Sequence, residues 1–342
     1  MKKIVITLLL INVVLFTEAQ ETFNKFIEVG IANHDEGKYE EAIKYYKKAL
    51  EIKPKSELAN YEISLSYFRL KEYKKVIEYS DKILKEGEKH KLAAYINKGS
   101  ALDMLGKTKK SIKVFKKAIE ELGHHYLLDF NLAIDYLKVQ KVEEAEVYLK
   151  KAVEINPTHS SSHFYLAKIN NNKGNRIPTL LASYFFLLLE PNTIRSEEIL
   201  TILKSNLQSG VKKKDNGKDV IMNLNLNVDS EFSAADMMVS MLEASKTLEK
   251  NEGKTEAEMF VENTESLFKI LGELNEDNKR KTIWWTLYVP MLNKIAKSEY
   301  IETYCKYITQ LEIKSQVWLE ENEGKVSAFF KWLEEENQEE KK

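Results

Sequence analysis

The sequence predicts an all-α protein: a solenoid of about five helix-turn-helix units, then a mainly helical C-terminal domain, with room for a short β-hairpin between them. Three observations carry this reading. Apolar residues recur at helical spacing through most of the chain. A spaced set of residues, Ala42, Tyr46, Ala49 and Pro54, returns downstream as Ala145, Leu149, Ala152 and Pro157. Four of the five prolines also fall where helices start or stop: Pro54, Pro157 and Pro191 follow predicted helices, and Pro178 lies near the start of one.

The opening segment, MKKIVITLLLINVVLFTEAQ, joins two lysines to an apolar run from Ile4 to Phe16 and then to small or polar residues. That is the layout of a secretory signal peptide over 1–19, cleaved between Ala19 and Gln20. A membrane anchor needs ~20 apolar residues, and this run is shorter. The mature chain would then begin at Gln20, carry no integral span and work outside the cytoplasm, in a bacterial periplasm or medium. No cysteine adjoins the cleavage site, and Cys305, the single cysteine, cannot form an intramolecular disulfide.

Five units follow, over 23–56, 57–91, 92–125, 126–159 and 160–193, at a period of 34 residues with one extra in the second. Val76 and Ile83 mark the second unit; Ser111, Phe115 and Ala118 mark the third. Thr179, Ser183 and Pro191 mark the fifth. Each first helix carries a small residue at one place: Gly30, Ser64, Gly99, Ala133 and Ala167. Helices cross closely only where side chains are small, and larger ones interdigitate around them. This pattern resembles the tetratricopeptide repeat, a helix-turn-helix unit of the same length. Val76 departs from it, because a small residue is expected there. With the signal peptide, the layout is similar to exported bacterial proteins that join such repeats to a helical C-terminal region.

The resemblance implies an interaction surface on the concave face, which the first helices line. Its groove positions would be Ile27 and Ile31, then Tyr61, Leu65 and Phe68. Next come Ile96 and Ser100, then Phe130, Ile134 and Leu137, and finally Phe164 and Lys168. One subgroup of the family grips a terminal carboxylate with basic and amide side chains. This chain has Ile27, Ile31, Glu62, Ala93 and Asn97 there instead, so that clamp is not expected. The stripe is apolar. Either it receives a hydrophobic or amphipathic segment, or the C-terminal region folds back over it as core.

Beyond Pro191, Ile199, Leu200, Ile202, Leu203 and Leu207 form a helical stripe, predicting a capping helix over 194–209. A linker over 210–230 places the turn residues Asp215, Asn216 and Gly217 before the alternating Met222, Leu224, Leu226 and Val228, a hairpin signal. Over 231–342 helical periodicity returns. Ser233 is a candidate cap, Thr255 and Glu258 make a capping box, and further helices are expected at about 279–297, 299–311 and 315–335, with Pro290 kinking the first. All four tryptophans lie here, with Met237, Met238, Met241, Met259 and Met291. They read either as an adaptable binding surface or as a compact core.

Charge and motif content narrow the function. Lysine and arginine total 52 against 53 acidic residues, and only four are arginine, so nothing favours nucleic acid. No phosphate-binding loop, catalytic elbow or paired-cysteine metal spacing occurs. His124 with His125, and His159 with His163, lack evident ligand partners. The expectation is a non-catalytic scaffold, without cofactor or metal, that binds a protein or peptide. The alternatives are a glycan-binding module using Trp284 and Trp285, or an enzyme in the C-terminal domain that carries no familiar motif.

Overall fold

In each repeat unit a first helix ends in a tight turn and a second helix packs back beside it, and the backbone shows why. The turn residues Gly37, Lys71, Gly106, Gln140 and Gly174 all adopt positive φ, between 59° and 78°. Just after each, an N–H reaches back to a carbonyl five residues earlier: Lys38 to Asn33, Glu72 to Tyr67, Lys107 to Leu102, Lys141 to Tyr136 and Asn175 to Asn170. All five bonds span 2.8–2.9 Å. This is the Schellman closure, which satisfies carbonyls that a helix end leaves free.

The computed structural model describes residues 2–213, 220–222, 231–248 and 251–339. The chain divides into two compact units, Met1–Lys151 and Ala152–Lys342. The first holds α1 (Lys2–Asp35), α2 (Tyr39–Ile52), α3 (Glu57–Arg69), α4 (Tyr73–Glu86), α5 (Lys91–Met104), α6 (Thr108–Leu122), α7 (Tyr126–Lys138) and most of α8 (Val142–Ile155). Helix α1 runs unbroken through Ala19 and Gln20.

Successive helices of this unit pack through the small residues the sequence singles out. Ala42, Ala49, Val76, Ala118, Ala133 and Ala145 are fully buried. A methyl group on Gly30 would lie 2.3 Å from the Tyr46 ring, and one on Gly99 would lie 2.3 Å from the Phe115 ring. Glycine therefore admits an aromatic side chain from the second helix. Polar bonds add to the packing: Ser111 Oγ donates to the Gly99 carbonyl (2.8 Å) at the α5–α6 crossing, and Asn97 Nδ2 donates to Ser64 Oγ (2.9 Å) between α5 and α3. Val76, which breaks the small-residue pattern, is also accommodated without exposure.

The second unit contains α9 (Ser160–Lys173), α10 (Arg176–Leu189), α11 (Ile194–Gln208), β1 (Val211–Lys213), β2 (Val220–Met222), α12 (Ser233–Ser245) and α13 (Glu256–Glu276). A π-helical turn (Trp284–Tyr288), α14 (Val289–Lys297), α15 (Ile301–Ile308), α16 (Ile313–Glu321) and α17 (Glu323–Glu339) complete it. Every residue from Ile177 to Leu188 in α10 is buried. Helices α9, α11 and α15 and the π turn surround it. Tyr184 of α10 sits in an aromatic core with Phe268 and Tyr304, and Phe329 of α17 packs on Tyr304.

Arg176 ties two helices of this unit together. Its guanidinium donates to the carbonyls of Asn206, Leu207 and Ser209 at the end of α11, and to Asp236 and Ser240 of α12. Five donors in a rigid fork can serve so many acceptors at once, which lysine cannot do.

Strands β1 and β2 pair antiparallel, Val211 opposite Met222 and Lys213 opposite Val220. The turn residues Asp215 to Gly217 and the alternating Leu224, Leu226 and Val228 lie outside the described residues. The Thr255–Glu258 capping box is present, with both reciprocal bonds formed. Helix α12 begins at Ser233 itself, one residue earlier than a cap at that position implies, and Phe232 takes the cap position. The span expected as a single helix over 315–335 is two, broken at Asn322, whose side chain instead bonds the Trp318 carbonyl. Before Pro290 the chain widens into the π turn, and Val289 N–H bonds the Trp284 carbonyl five residues back. The proline then sits in the first turn of α14, directly after the π turn, and the Trp285 carbonyl accepts from Asn275 Nδ2 at 3.0 Å.

Candidate functional site

Helices α1, α3, α5 and α7 are the first helices of their pairs in the unit Met1–Lys151. Once their small residues are committed to the second helices, a different set of positions keeps solvent access. Ile31 is 38% exposed near the end of α1. On α3, Tyr61, Leu65 and Phe68 stand at i, i+4 and i+7 and are half-buried. Phe130, Ile134 and Leu137 repeat that spacing on α7 and are also half-buried. Ile96 and Ser100 on α5 are half-buried, and Met104, which the groove assignment did not include, is 55% exposed. Met104 lies eight residues beyond Ile96, so helical spacing alone could have found it.

Three predicted groove residues, Ile27, Phe164 and Lys168, do not belong to this surface. Ile27 is buried in a core cluster with Phe23, Ala42, Tyr46, Ala49, Ala59 and Ile63, because α1 turns it toward α2 rather than outward. Phe164 is buried in the other compact unit, against Phe186, with the Arg195 guanidinium 5.2 Å and the Lys168 ammonium 5.0 Å from its ring centre. Its apolar ring serves a cation-π seam instead.

The accessible positions are held in place by neighbouring rings and hydrogen bonds. Tyr61 lies 5.5 Å from the His90 ring, and Phe68 meets Tyr73 edge-on at 5.6 Å. His34 Nδ1 bonds Ser66 Oγ at 2.8 Å. Three carboxyls among these helices are Glu62, Asp103 and Asp135. Burial lifts the Glu62 carboxyl above the usual carboxylate range, while His90 and the Tyr46 hydroxyl pull it back. Asp103 accepts from Thr108 Oγ1 at 2.9 Å and pairs with Lys138. Beside it Asp135 is 2% exposed, and its Oδ2 has no hydrogen-bond partner. Burial pushes that carboxyl up to about 7, with the Ser111 hydroxyl opposing and the Asp103 charge reinforcing the rise.

The histidines weighed as metal ligands, His124, His125, His159 and His163, make structural bonds. His124 Nδ1 bonds Asp129 at 2.8 Å. His163 is fully buried between Tyr288 Oη (2.7 Å) and the Pro157 carbonyl (2.8 Å), so its Nε2 carries the proton and its Nδ1 accepts. Among the described residues no group of three His, Cys, Asp or Glu side chains could hold a metal ion. The tryptophans named for a glycan site are core: Trp284 and Trp285 are 3% and 4% exposed, and Trp285 stacks on Phe232 while its Nε1 donates to Glu231. The methionines Met237, Met238, Met259 and Met291 are half-buried at the margin of that core, and Met241 is 39% exposed.

Fold and surface together define a class of protein, a stack of helical hairpins presenting accessible apolar side chains. Comparison with known proteins makes the class more specific. Residues 130–159 match the family model for the tetratricopeptide repeat, and residues 35–118 match the model described as anaphase-promoting complex, cyclosome, subunit 3. A tetratricopeptide-repeat-containing protein of Methanocaldococcus jannaschii is 30% identical over 143 residues, which is 42% of this chain and 24% of the relative. The chain thus spans about a quarter of that relative's length. These matches support tetratricopeptide repeats in the N-terminal half of the chain.

Solved structures with similar folds include PilF of Pseudomonas aeruginosa, with a TM-score of 0.46, 20% identity and coverage of 56% of this chain and 90% of that one. A tetratricopeptide-repeat protein of Thermus thermophilus gives 0.43 at 18% identity, covering 54% and 98%. YrrB, described as having an unusual peptide-binding site, gives 0.41 at 19% identity, covering 52% and 90%.

Proposed function

We propose that the protein is a non-catalytic docking scaffold that holds a peptide or helix of a protein partner against the first helices of its N-terminal unit. One observation carries this reading: Ile31, Tyr61, Leu65, Phe68, Phe130, Ile134 and Leu137 keep solvent access although each lies within a closely packed helix. Contiguous accessible apolar residues on repeat helices are the usual material of such interfaces. An amphipathic helix reading i, i+4, i+7 anchors would match the spacing on α3 and α7. Burial of Trp284 and Trp285 speaks against a glycan-binding role for those rings.

The N-terminal layout supports export with cleavage after Ala19, in an envelope or extracellular setting. Among the described residues no helix is long and apolar enough to cross a membrane. Sequencing the N terminus of the protein from its native compartment checks this: Gln20 is the expected first residue, and an intact Met1 rejects it. Phe68→Glu combined with Phe130→Glu tests the scaffold. Both rings are half-buried, so the double variant should fold with an unchanged circular dichroism spectrum while losing partners captured by the unmodified chain from envelope extract. Retention of every captured partner by a folded double variant would refute the assignment.

A further inference from the structure

The start of α7 rests on two adjacent histidines, His124 and His125, and each makes a bond that fixes its tautomer. An ammonium or a backbone N–H can only donate. Lys151 Nζ lies 3.1 Å from His124 Nε2, so that nitrogen accepts, and His124 Nδ1–H donates to Asp129 Oδ1 at 2.8 Å. Leu127 N–H donates to His125 Nδ1 at 3.2 Å, so His125 caps α7 with its own proton on Nε2.

Both accepting nitrogens require neutral rings. A proton on His125 Nδ1 removes the acceptor that Leu127 uses and places positive charge at a helix N-terminus, where the macrodipole opposes it. A proton on His124 Nε2 faces the Lys151 ammonium, while Nδ1–H still holds Asp129. That carboxyl gains by the exchange: Asp129 is fully buried, and its Oδ2 has no hydrogen-bond partner. Burial lifts it above the usual carboxylate range, opposed by the His124 bond and by the charges of His124, Lys151 and His125. Around these groups, Tyr148 of α8 lies within electrostatic reach of Lys116 on α6 and of Asp129, and the Lys151 ammonium stands 5.5 Å from the Tyr148 ring centre. Glu121 of α6 is bonded by Lys91 and Tyr95 of α5. All of these residues belong to the unit Met1–Lys151.

Histidine is the side chain whose ordinary charge change falls between pH 5 and 8. We infer that His124 and His125 form a proton switch on the first turn of α7. As pH falls across that range the turn loses its cap, α8 loses the Lys151 tie, and the helix that carries Phe130, Ile134 and Leu137 loosens at its base. As a control on docking this rests on the scaffold reading above; as a property of α7 it stands without it.

Nitrogen-15 and amide-exchange NMR of the full chain, with no partner present, tests the inference. At pH 7.5 the two imidazoles should show opposite tautomers, Nδ1–H in His124 and Nε2–H in His125. Between pH 7.5 and 5.5 the protection of the Leu127 amide, corrected for intrinsic exchange, should fall about fivefold or more, while amides in the middle of α5 change less than twofold. His125→Asn keeps a cap acceptor that cannot titrate and should abolish the fall. His124→Gln keeps a donor for Asp129 and an acceptor for Lys151, and should abolish the pH-dependent shift of the Lys151 side-chain resonances. Identical tautomers, constant Leu127 protection, or a pH response that survives both variants would each overturn the switch. No partner enters these readings, so their failure leaves the docking face standing, and loss of the docking face leaves them unaffected.

Discussion

Asp135→Asn should stabilise the N-terminal unit above neutral pH and bring no such gain in acid. Asp135 is buried on α7, its Oδ2 lacks a hydrogen-bond partner, and its proton is held up to about 7 against an ordinary value of 3.8. A carboxyl whose pKa is raised by folding favours the native state fully below 3.8, and that advantage disappears as pH rises through about 7. The interval corresponds to a ceiling of about 4 kcal/mol between the protonated and ionised extremes. Asparagine keeps the shape and cannot ionise. Because all four tryptophans lie beyond residue 283, their fluorescence follows the C-terminal unit, so native-state hydrogen exchange of α5 and α7 amides is the suitable assay. The stability of Asp135→Asn relative to the unmodified protein should climb by up to about 4 kcal/mol between pH 4 and pH 8. A difference that stays constant across that range would show that Asp135 does not titrate there, and the burial argument would fail.

Other perturbations follow from the same packing. Burial holds the His163 imidazole down to about 4, against the opposing Pro157 carbonyl bond. The C-terminal unit should therefore lose up to about 3 kcal/mol as pH falls from 6.5 to 4, read by tryptophan fluorescence in urea, and His163→Gln should flatten that slope. Gly99→Ala forces a methyl to 2.3 Å from Phe115 and should cost about 1–3 kcal/mol, with Phe115→Leu restoring part of the loss in a double-mutant cycle. Lys71→Gly relieves a left-handed backbone, φ 59°, and should raise stability by about 1 kcal/mol in the same hydrogen-exchange assay. Arg176→Ala strands several carbonyls and the Asp236 carboxylate, and should cost about 3–5 kcal/mol in chemical denaturation, with Arg176→Lys recovering less than half.

The fold was legible because its instructions are local and repeated. Small residues at Gly30, Ser64, Gly99, Ala133 and Ala167 record helix crossings, and a 34-residue period makes each crossing visible five times. The turn closures were only partly visible: glycine marks three of the five left-handed positions, but Lys71 and Gln140 carry no such signature. In the C-terminal unit nothing repeats, so the widened turn before Pro290 and the break at Asn322 depended on tertiary contacts that no local pattern encodes. The candidate face was harder still. Ile27 and Ile31 occupy one stripe of α1 and are chemically identical, yet one is core and the other is 38% exposed, since four residues advance a helix by about 40° past a full turn, enough to decide which meets α2. A cleft of the C-terminal unit joins residues from five helices, a conjunction that separations of up to about a hundred residues hide from any spacing argument.

Helix α10 has a consequence for how the chain can be divided. It carries the marks of a repeat helix, yet all twelve positions from Ile177 to Leu188 are covered, and Tyr184 and Phe186 reach neighbours on different sides. A fragment stopped at Pro191 would bare the aliphatic flank that α11, α15 and the π turn cover, an invitation to aggregate. A fragment begun after Pro191 would leave the aromatic rings of α13 and α15 without their central ring, Tyr184. Expression boundaries for the C-terminal portion therefore belong ahead of α9, and bookkeeping by repeat number would misplace them by one full hairpin.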